Sequence, residues 1–95
     1  MPKRRQPTRI FIDGRQWRIV RARLRRLWGD CDYELGRIRI NSRLVGEDLL
    51  NTLIHEILHA RFPDLSEQSV RDFSDELAGV VNSFGFEIAD HEEEP

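Results

Sequence analysis

Residues 46–67 read GEDLLNTLIHEILHARFPDLSE, and this stretch decides the fold of the chain. Its leucines and isoleucines recur at the spacing of an amphipathic helix. They are Leu49, Leu50, Leu53, Ile54, Ile57 and Leu58. Glu47 and Asp48 place negative charge at the N-terminus of this helix, and Phe62-Pro63-Asp64-Leu65 ends it. The pattern therefore predicts one long helix, followed by a short turn.

A second amphipathic helix is predicted directly after that turn. Ser66 is a good N-cap, and the helix is expected to end near Gly85. Its apolar stripe consists of Val70, Phe73, Leu77, Val80, Val81 and Phe84. Ile88 is a further apolar residue beyond this helix that can close the core.

The segment upstream of the first helix has the alternation of extended chain. Residues 9–12 and 17–20 flank Asp13-Gly14, which is typical of a β-hairpin. Residues 20–27 fit either a helix or a strand, and their type stays open. Trp28-Gly29-Asp30-Cys31-Asp32 is expected to be a turn, and residues 33–41 a third strand, with Ile38 and Ile40 facing opposite to Arg37 and Arg39. Strands followed by helices indicate an α+β fold.

Composition and length predict a single small domain. The chain has 95 residues, 39% hydrophobic and 34% charged, with Trp17, Trp28 and five Phe available as core anchors. We expect a basic tail at 1–7, one domain at 8–89 and an acidic tail at 90–95. No apolar run is long enough to span a membrane, and a lone Cys31 fits a reducing cytoplasm. A cytoplasmic protein that does not contact membranes is the expectation.

Charge is distributed unevenly along the chain. Residues 1–26 carry a net +9 and residues 27–95 a net −11. One interpretation is that the basic half, with its arm of Lys3, Arg4 and Arg5, binds nucleic acid or another polyanion. The other is that the two halves partly neutralise each other within one fold, since arginines alternating along a strand usually form its solvated face. The second interpretation is slightly favoured.

The chemistry-bearing motif is His55-Glu56-Ile57-Leu58-His59. Two histidines at i and i+4 lie one turn apart on the same helix face, so both imidazoles can reach one metal ion, and Glu56 flanks them. Their midpoint falls opposite the apolar stripe, which predicts ligands on the side of the helix away from the core. His91 and Cys31 are not expected to be ligands, because nothing fixes the position of the first and the second has no partner thiol.

The motif and its surroundings resemble small SprT-like metallopeptidase domains and minimal gluzincins. Besides the motif, the resemblance rests on residues 62–67, on Trp28-Gly29-Asp30-Cys31-Asp32 and on Ile38-Arg39-Ile40. It implies a short antiparallel sheet packed on the H-E-x-x-H helix and a second, C-terminal helix. It also implies one Zn²⁺ per chain, with a carboxylate from the second helix as third ligand.

Among the carboxylates of the second helix, Glu67 is the expected ligand. The turn through Pro63 sends the chain back along the first helix, which places the first turn of the second helix level with His59. Glu76 is the rival, although it lies roughly 13 Å further along the axis. Asp72 and Asp75 are expected to point toward solvent. A purely structural role would also explain the presence of Glu67, because the helix dipole favours an acid in the first turn after a Ser66 cap.

These observations predict a zinc metallopeptidase acting on a protein or peptide. Glu56 is the general base that activates a zinc-bound water. The group that stabilises the oxyanion stays unassigned between Tyr33 and a strand arginine, and residues 33–41 are either an edge strand that pairs with substrate or an internal strand. The alternative function is a zinc-binding regulatory or interaction module of the same fold with little turnover. The sequence does not determine the oligomeric state.

Overall fold

Four strands and two helices make up residues 7–86, the part of the chain described by the computed structural model. They are β1 (Thr8–Ile12), β2 (Arg15–Ala22), β3 (Gly29–Asp32), β4 (Arg37–Asn41), α1 (Gly46–Arg61) and α2 (Glu67–Ser83). The α+β class predicted from the sequence is confirmed. The predictions for Ile88, His91, the acidic tail and most of the basic tail concern residues outside 7–86.

The β1–β2 hairpin forms as its sequence predicts. Asp13 and Gly14 both have positive φ, of 54° and 80°, which is the signature of the two-residue turn that matches strand twist. The register pairs Ile10 with Trp17 and Ile12 with Arg15. Apolar side chains of both strands therefore share one face of the sheet.

The sheet is mixed, so the expectation of a wholly antiparallel sheet is wrong. Its strand order is β1-β2-β4-β3, with β2 and β4 parallel and the two outer pairings antiparallel. The cause is the irregular connection at 23–28, the segment whose type the sequence left open, which crosses the end of β4. Asn41 stabilises the crossing, since its Nδ2 donates to the carbonyls of Leu24 and Leu27 at 2.9 Å each.

A second difference follows from this crossing. Residues 29–32 form β3, a short edge strand, where the sequence predicted only a turn. Gly and Asp are depleted in strands, so their local preference gives no strand signal. Residues 29–32 become a strand because they pair with β4. The strand predicted at 33–41 is shorter than expected, since residues 33–36 form a turn and only 37–41 form β4, which is internal to the sheet.

The two faces of the sheet differ sharply in polarity. Ile38 and Ile40 are fully buried toward the helices, while Arg37 and Arg39 lie on the other face, as predicted. Buried residues of both layers form the core: Ile12, Trp17, Ile38, Ile40, Leu49 and Ala60. Helix α1 packs on β3 and β4, and α2 packs on α1.

Aromatic residues contribute less to the core than expected. Trp17 is buried as predicted, whereas Trp28 is 55% exposed. All five phenylalanines are exposed: Phe11, Phe62, Phe73, Phe84 and Phe86. At Gly29 the sheet approaches α1 closely, since a Cβ there would lie only 3.2 Å from Cγ of Glu56.

The helices bury a narrower set of residues than their apolar stripes suggest. The buried residues of α1 are Leu49, Thr52, Glu56 and Ala60, and those of α2 are Val70, Ser74 and Ala78. Ser74 and Ala78 on α2 are small, and Phe73, Val80 and Phe84 of the predicted stripe remain exposed. The Ser66 cap is confirmed, because its hydroxyl accepts from the Ser69 amide at 3.0 Å. Within residues 7–86, neither helix has the length and apolar composition required to cross a membrane.

Candidate metal centre

Helix α1 presents His55 and His59 toward the first turn of α2. The two Nε2 atoms lie 3.2 Å apart, and the side chains are only 20% and 23% exposed. The histidines lie outside the hydrophobic core, and they face the first turn of α2 rather than open solvent. Helix α2 covers that face, because the short turn at 62–66 folds it back along α1.

Glu67 joins the two histidines, at the position that the sequence predicted for a third ligand. Its Oε2 lies 3.1 Å from Nε2 of His55, and its Oε1 lies 3.0 Å from Nε2 of His59. Glu76 is not part of this group. Within residues 7–86, these three side chains are the one set of metal-ligating groups whose donor atoms converge, all within 4.8 Å of one another.

The donor set fits zinc in both chemistry and spacing. Tetrahedral zinc takes imidazole nitrogen and carboxylate oxygen at ~2.0–2.2 Å, which separates neighbouring ligand atoms by roughly 3.3 Å. The two imidazole nitrogens lie 3.2 Å apart, close to that value, and each lies 3.0 to 3.1 Å from a different oxygen of Glu67. Burial lowers the pKa of His55, which favours the neutral imidazole that binds a metal ion.

Glu56 lies beside these ligands in a protected position. It is only 7% exposed, and burial raises the pKa of its carboxyl to about 7, with smaller contributions from the charges of Asp30 and Glu67. Glu56 and His55 line the same open cleft, whose volume is about 350 Å³. Gly29 of β3 forms the opposite wall and has no side chain to obstruct the carboxyl.

Several residues of the cleft could not be assigned from the sequence. They are Trp28, Asn51, Thr52, Arg71 and Asp75. Arg71 donates to Oε2 of Glu67 at 3.4 Å, a contact that the i,i+4 spacing on α2 could have indicated. Asp75 does not simply face solvent as expected, because its carboxylate accepts from Nδ2 of Asn51 at 2.7 Å. That hydrogen bond ties α2 to α1 along the cleft.

Tyr33 and the strand arginines are poorly placed to stabilise an oxyanion. The Tyr33 hydroxyl donates to the backbone carbonyl of His59. Arg37 and Arg39 lie on the sheet face away from the helices, beside Asp32 and Asp30. Cys31 is outside the donor group, and burial raises the pKa of its thiol to about 11, so the thiolate that binds metal is disfavoured.

Zinc binding is the first testable prediction. The protein is expected to bind close to one zinc per chain, and a strong chelator should lower its Tm by ~10–20 °C, because a ligand at about 100 times its Kd adds roughly 2.7 kcal/mol to a small domain. Elemental analysis after dialysis gives the stoichiometry, and calorimetry with and without chelator gives the Tm. Stoichiometry far below one in zinc-supplemented buffer would contradict the site.

Comparison of the chain with known protein families, with curated proteins and with solved structures returned no match. The resemblance to SprT-like and gluzincin domains therefore remains a prediction from the residues that carry it. The arrangement of His55, His59, Glu67 and Glu56 is the feature of the molecule that bears on its function.

Proposed function

We propose that this protein is a zinc-dependent metallopeptidase. His55, His59 and Glu67 hold the ion, and Glu56 is the general base. One observation carries the proposal, namely that three nitrogen and oxygen donors converge and that one of them, His55, lines a cleft with the buried carboxyl of Glu56. Three protein ligands are typical of catalytic zinc, which keeps a position for water or substrate, whereas structural zinc usually has four.

Bound zinc supplies a Lewis acid that polarises a carbonyl and lowers the pKa of water toward ~7. Glu56 takes the proton of the attacking water as the new C–O bond forms at the substrate carbonyl. It then delivers that proton to the amine nitrogen as the C–N bond breaks. A carboxyl whose pKa is about 7 is suited to both transfers, because it is close to the operating pH.

Arg71 is the group best placed to stabilise the developing oxyanion. It lines the cleft together with His55 and Glu56, and it is a fixed positive charge. Its contact with Glu67 also orients that carboxylate toward the histidines. This assignment replaces the two earlier candidates, Tyr33 and a strand arginine.

Substrate is expected to bind along β3. Because β4 lies between β2 and β3, the outer side of β3 is an edge of the sheet within residues 7–86. An extended peptide can add to such an edge by main-chain hydrogen bonds. Gly29 connects this edge to the cleft, so a peptide paired with β3 passes close to Glu56.

The alternative function is a zinc-binding regulatory or interaction module, and the open, small cleft favours it. A cleft of about 350 Å³ gives little room for specificity pockets. Glu56 distinguishes the two functions, because a module without turnover has no use for a buried carboxyl beside the metal ligands. A cytoplasmic location is part of the proposal and rests on the single cysteine.

A cleavage screen tests the proposed function. Zinc-loaded protein is incubated with a mixture of unfolded proteins, and new termini are identified by mass spectrometry. We expect cleavage that disappears on chelation and returns when zinc is restored. If the zinc-loaded protein, at full zinc occupancy, gave the same peptides as the metal-free protein, the binding module would be favoured instead.

A further inference from the structure

The sheet face turned away from the helices is rich in arginine. Paired residues share a face, so the pairings Arg9–Arg18 and Arg18–Arg37 place three guanidinium groups in a row across β1, β2 and β4. Phe11 lies on the same face and is 72% exposed. No described helix packs on this face. Helix α1 packs on the opposite face of the sheet, and α2 packs on α1.

A cavity continues this face where the connection at 23–28 crosses the end of β4. It has a volume of about 460 Å³ and is lined by four arginines and two leucines. The lining residues are Arg23, Leu24, Arg25, Arg26, Leu27 and Arg39. The backbone of this connection is fixed by Asn41, so the cavity is part of the fold.

The positive charge of this face is not compensated by the acids near it. Asp30 is bound to Arg39, and Asp32 lies 4.0 Å from Arg37. Among residues 7–86, no acid forms an ion pair with the five other arginines of the face and cavity. They are Arg9, Arg18, Arg23, Arg25 and Arg26. Uncompensated arginines on one face attract a polyanion.

We propose that this face, from Phe11 to the arginine cavity, binds single-stranded nucleic acid. Phosphates occupy the cavity and follow the arginine row, and a base stacks on Phe11. The distance from Gln16 to Ala22 along β2 is roughly 20 Å, enough for several nucleotides. An open sheet with an exposed ring suits unpaired bases, which duplex DNA does not offer.

The proposal does not depend on the metal centre. The face and the centre lie on opposite sides of the sheet, so binding should persist in chelator. It also does not depend on Lys3, Arg4 and Arg5, which lie outside the described residues.

The test measures the affinity of the full-length protein for a fluorescent oligo-dT of about 12 nucleotides at several salt concentrations, with and without chelator. The variant Arg25→Gln/Arg26→Gln should bind more weakly, and its slope of log K against log salt should be smaller by roughly 1.4, since each single-strand phosphate contact contributes about 0.7. The matched control is Arg15→Gln/Arg61→Gln, which makes the same charge change on the helix side of the sheet. It should keep the parental slope.

Stacking is tested separately by Phe11→Ala. The affinity for oligo-dT is expected to fall about fivefold or more, whereas Phe84→Ala, which removes an equally exposed ring from the end of α2, should have no effect. Equal losses in both arginine variants would overturn the proposal, because they would show a response to net charge alone. Tighter binding of duplex than of oligo-dT, or no binding at low salt, would also overturn it.

Discussion

Substituting Glu56 by glutamine is expected to lower peptide cleavage by at least ~10²-fold while zinc remains bound at close to one per chain. Glutamine has nearly the shape of glutamate but cannot accept the proton of the attacking water. The metal ligands are His55, His59 and Glu67, so the substitution leaves the donor set intact. Cleavage assays on any substrate found in the screen, together with zinc analysis of the same sample, measure both quantities.

Loss of folding cannot explain this result. Burial raises the pKa of Glu56 to about 7 from its ordinary value of 4.5, so the folded state retains a proton that the unfolded state releases between those values. Ionisation therefore lowers the free energy of unfolding as the pH rises through this window. Glutamine has no such proton, and the metal-free variant should be at least as stable as the parent, with a larger advantage at about pH 8 than at about pH 5.

Glu47→Gln is the matched control. Glu47 is exposed in the first turn of the same helix, does not line the cleft and lies nine residues from Glu56, roughly 13 Å along the axis, so its substitution should leave cleavage unchanged. Full activity in Glu56→Gln would reject the proposed mechanism. Loss of activity accompanied by loss of zinc would show instead that Glu56 helps to hold the ion.

The parts of this structure that could be predicted are those specified by neighbouring residues. Asp13-Gly14 specifies its hairpin because both residues adopt positive φ readily. Ser66 specifies the start of α2, and the i,i+4 spacing of His55 and His59 places both rings on one face. The position of Glu67 beside the histidines could be predicted from the same local information, since a short turn leaves few directions for the second helix.

The parts that could not be predicted depend on contacts between distant residues. Strand β3 exists because β4 offers it a partner, and its Gly and Asp residues give no sign of that. Trp28 reads as a core residue by hydrophobicity, yet it lies at the cleft because the layers meet through Gly29 and small side chains. Arg71 reaches Glu67 through local i,i+4 spacing on α2, but only the packing of α2 on α1 brings it to the cleft with His55 and Glu56.

The choice of third ligand leads to the other large expected effect. Zinc affinity should fall by orders of magnitude in Glu67→Ala and hardly change in Glu76→Ala. The Glu67 carboxylate contacts both histidines, with separations of 3.1 and 3.0 Å, so its removal leaves two ligands. Glu76 is exposed on the same helix but lies nine residues further along, roughly 13 Å by helix geometry.

The same pair of variants separates the ligand role from a purely structural role of Glu67. A first-turn acid stabilises a helix by about 0.3–1 kcal/mol through the dipole, so that role predicts a small loss of stability in metal-free protein and no change in zinc affinity. The ligand role predicts the opposite pattern, in which the metal-free Tm hardly changes and the stabilisation by zinc is lost. Competition titrations against a chelator of known affinity measure the binding, and calorimetry of the metal-free proteins measures the Tm. Zinc affinity that survives in Glu67→Ala but is lost in Glu76→Ala would show that the metal is held by a different packing of the two helices.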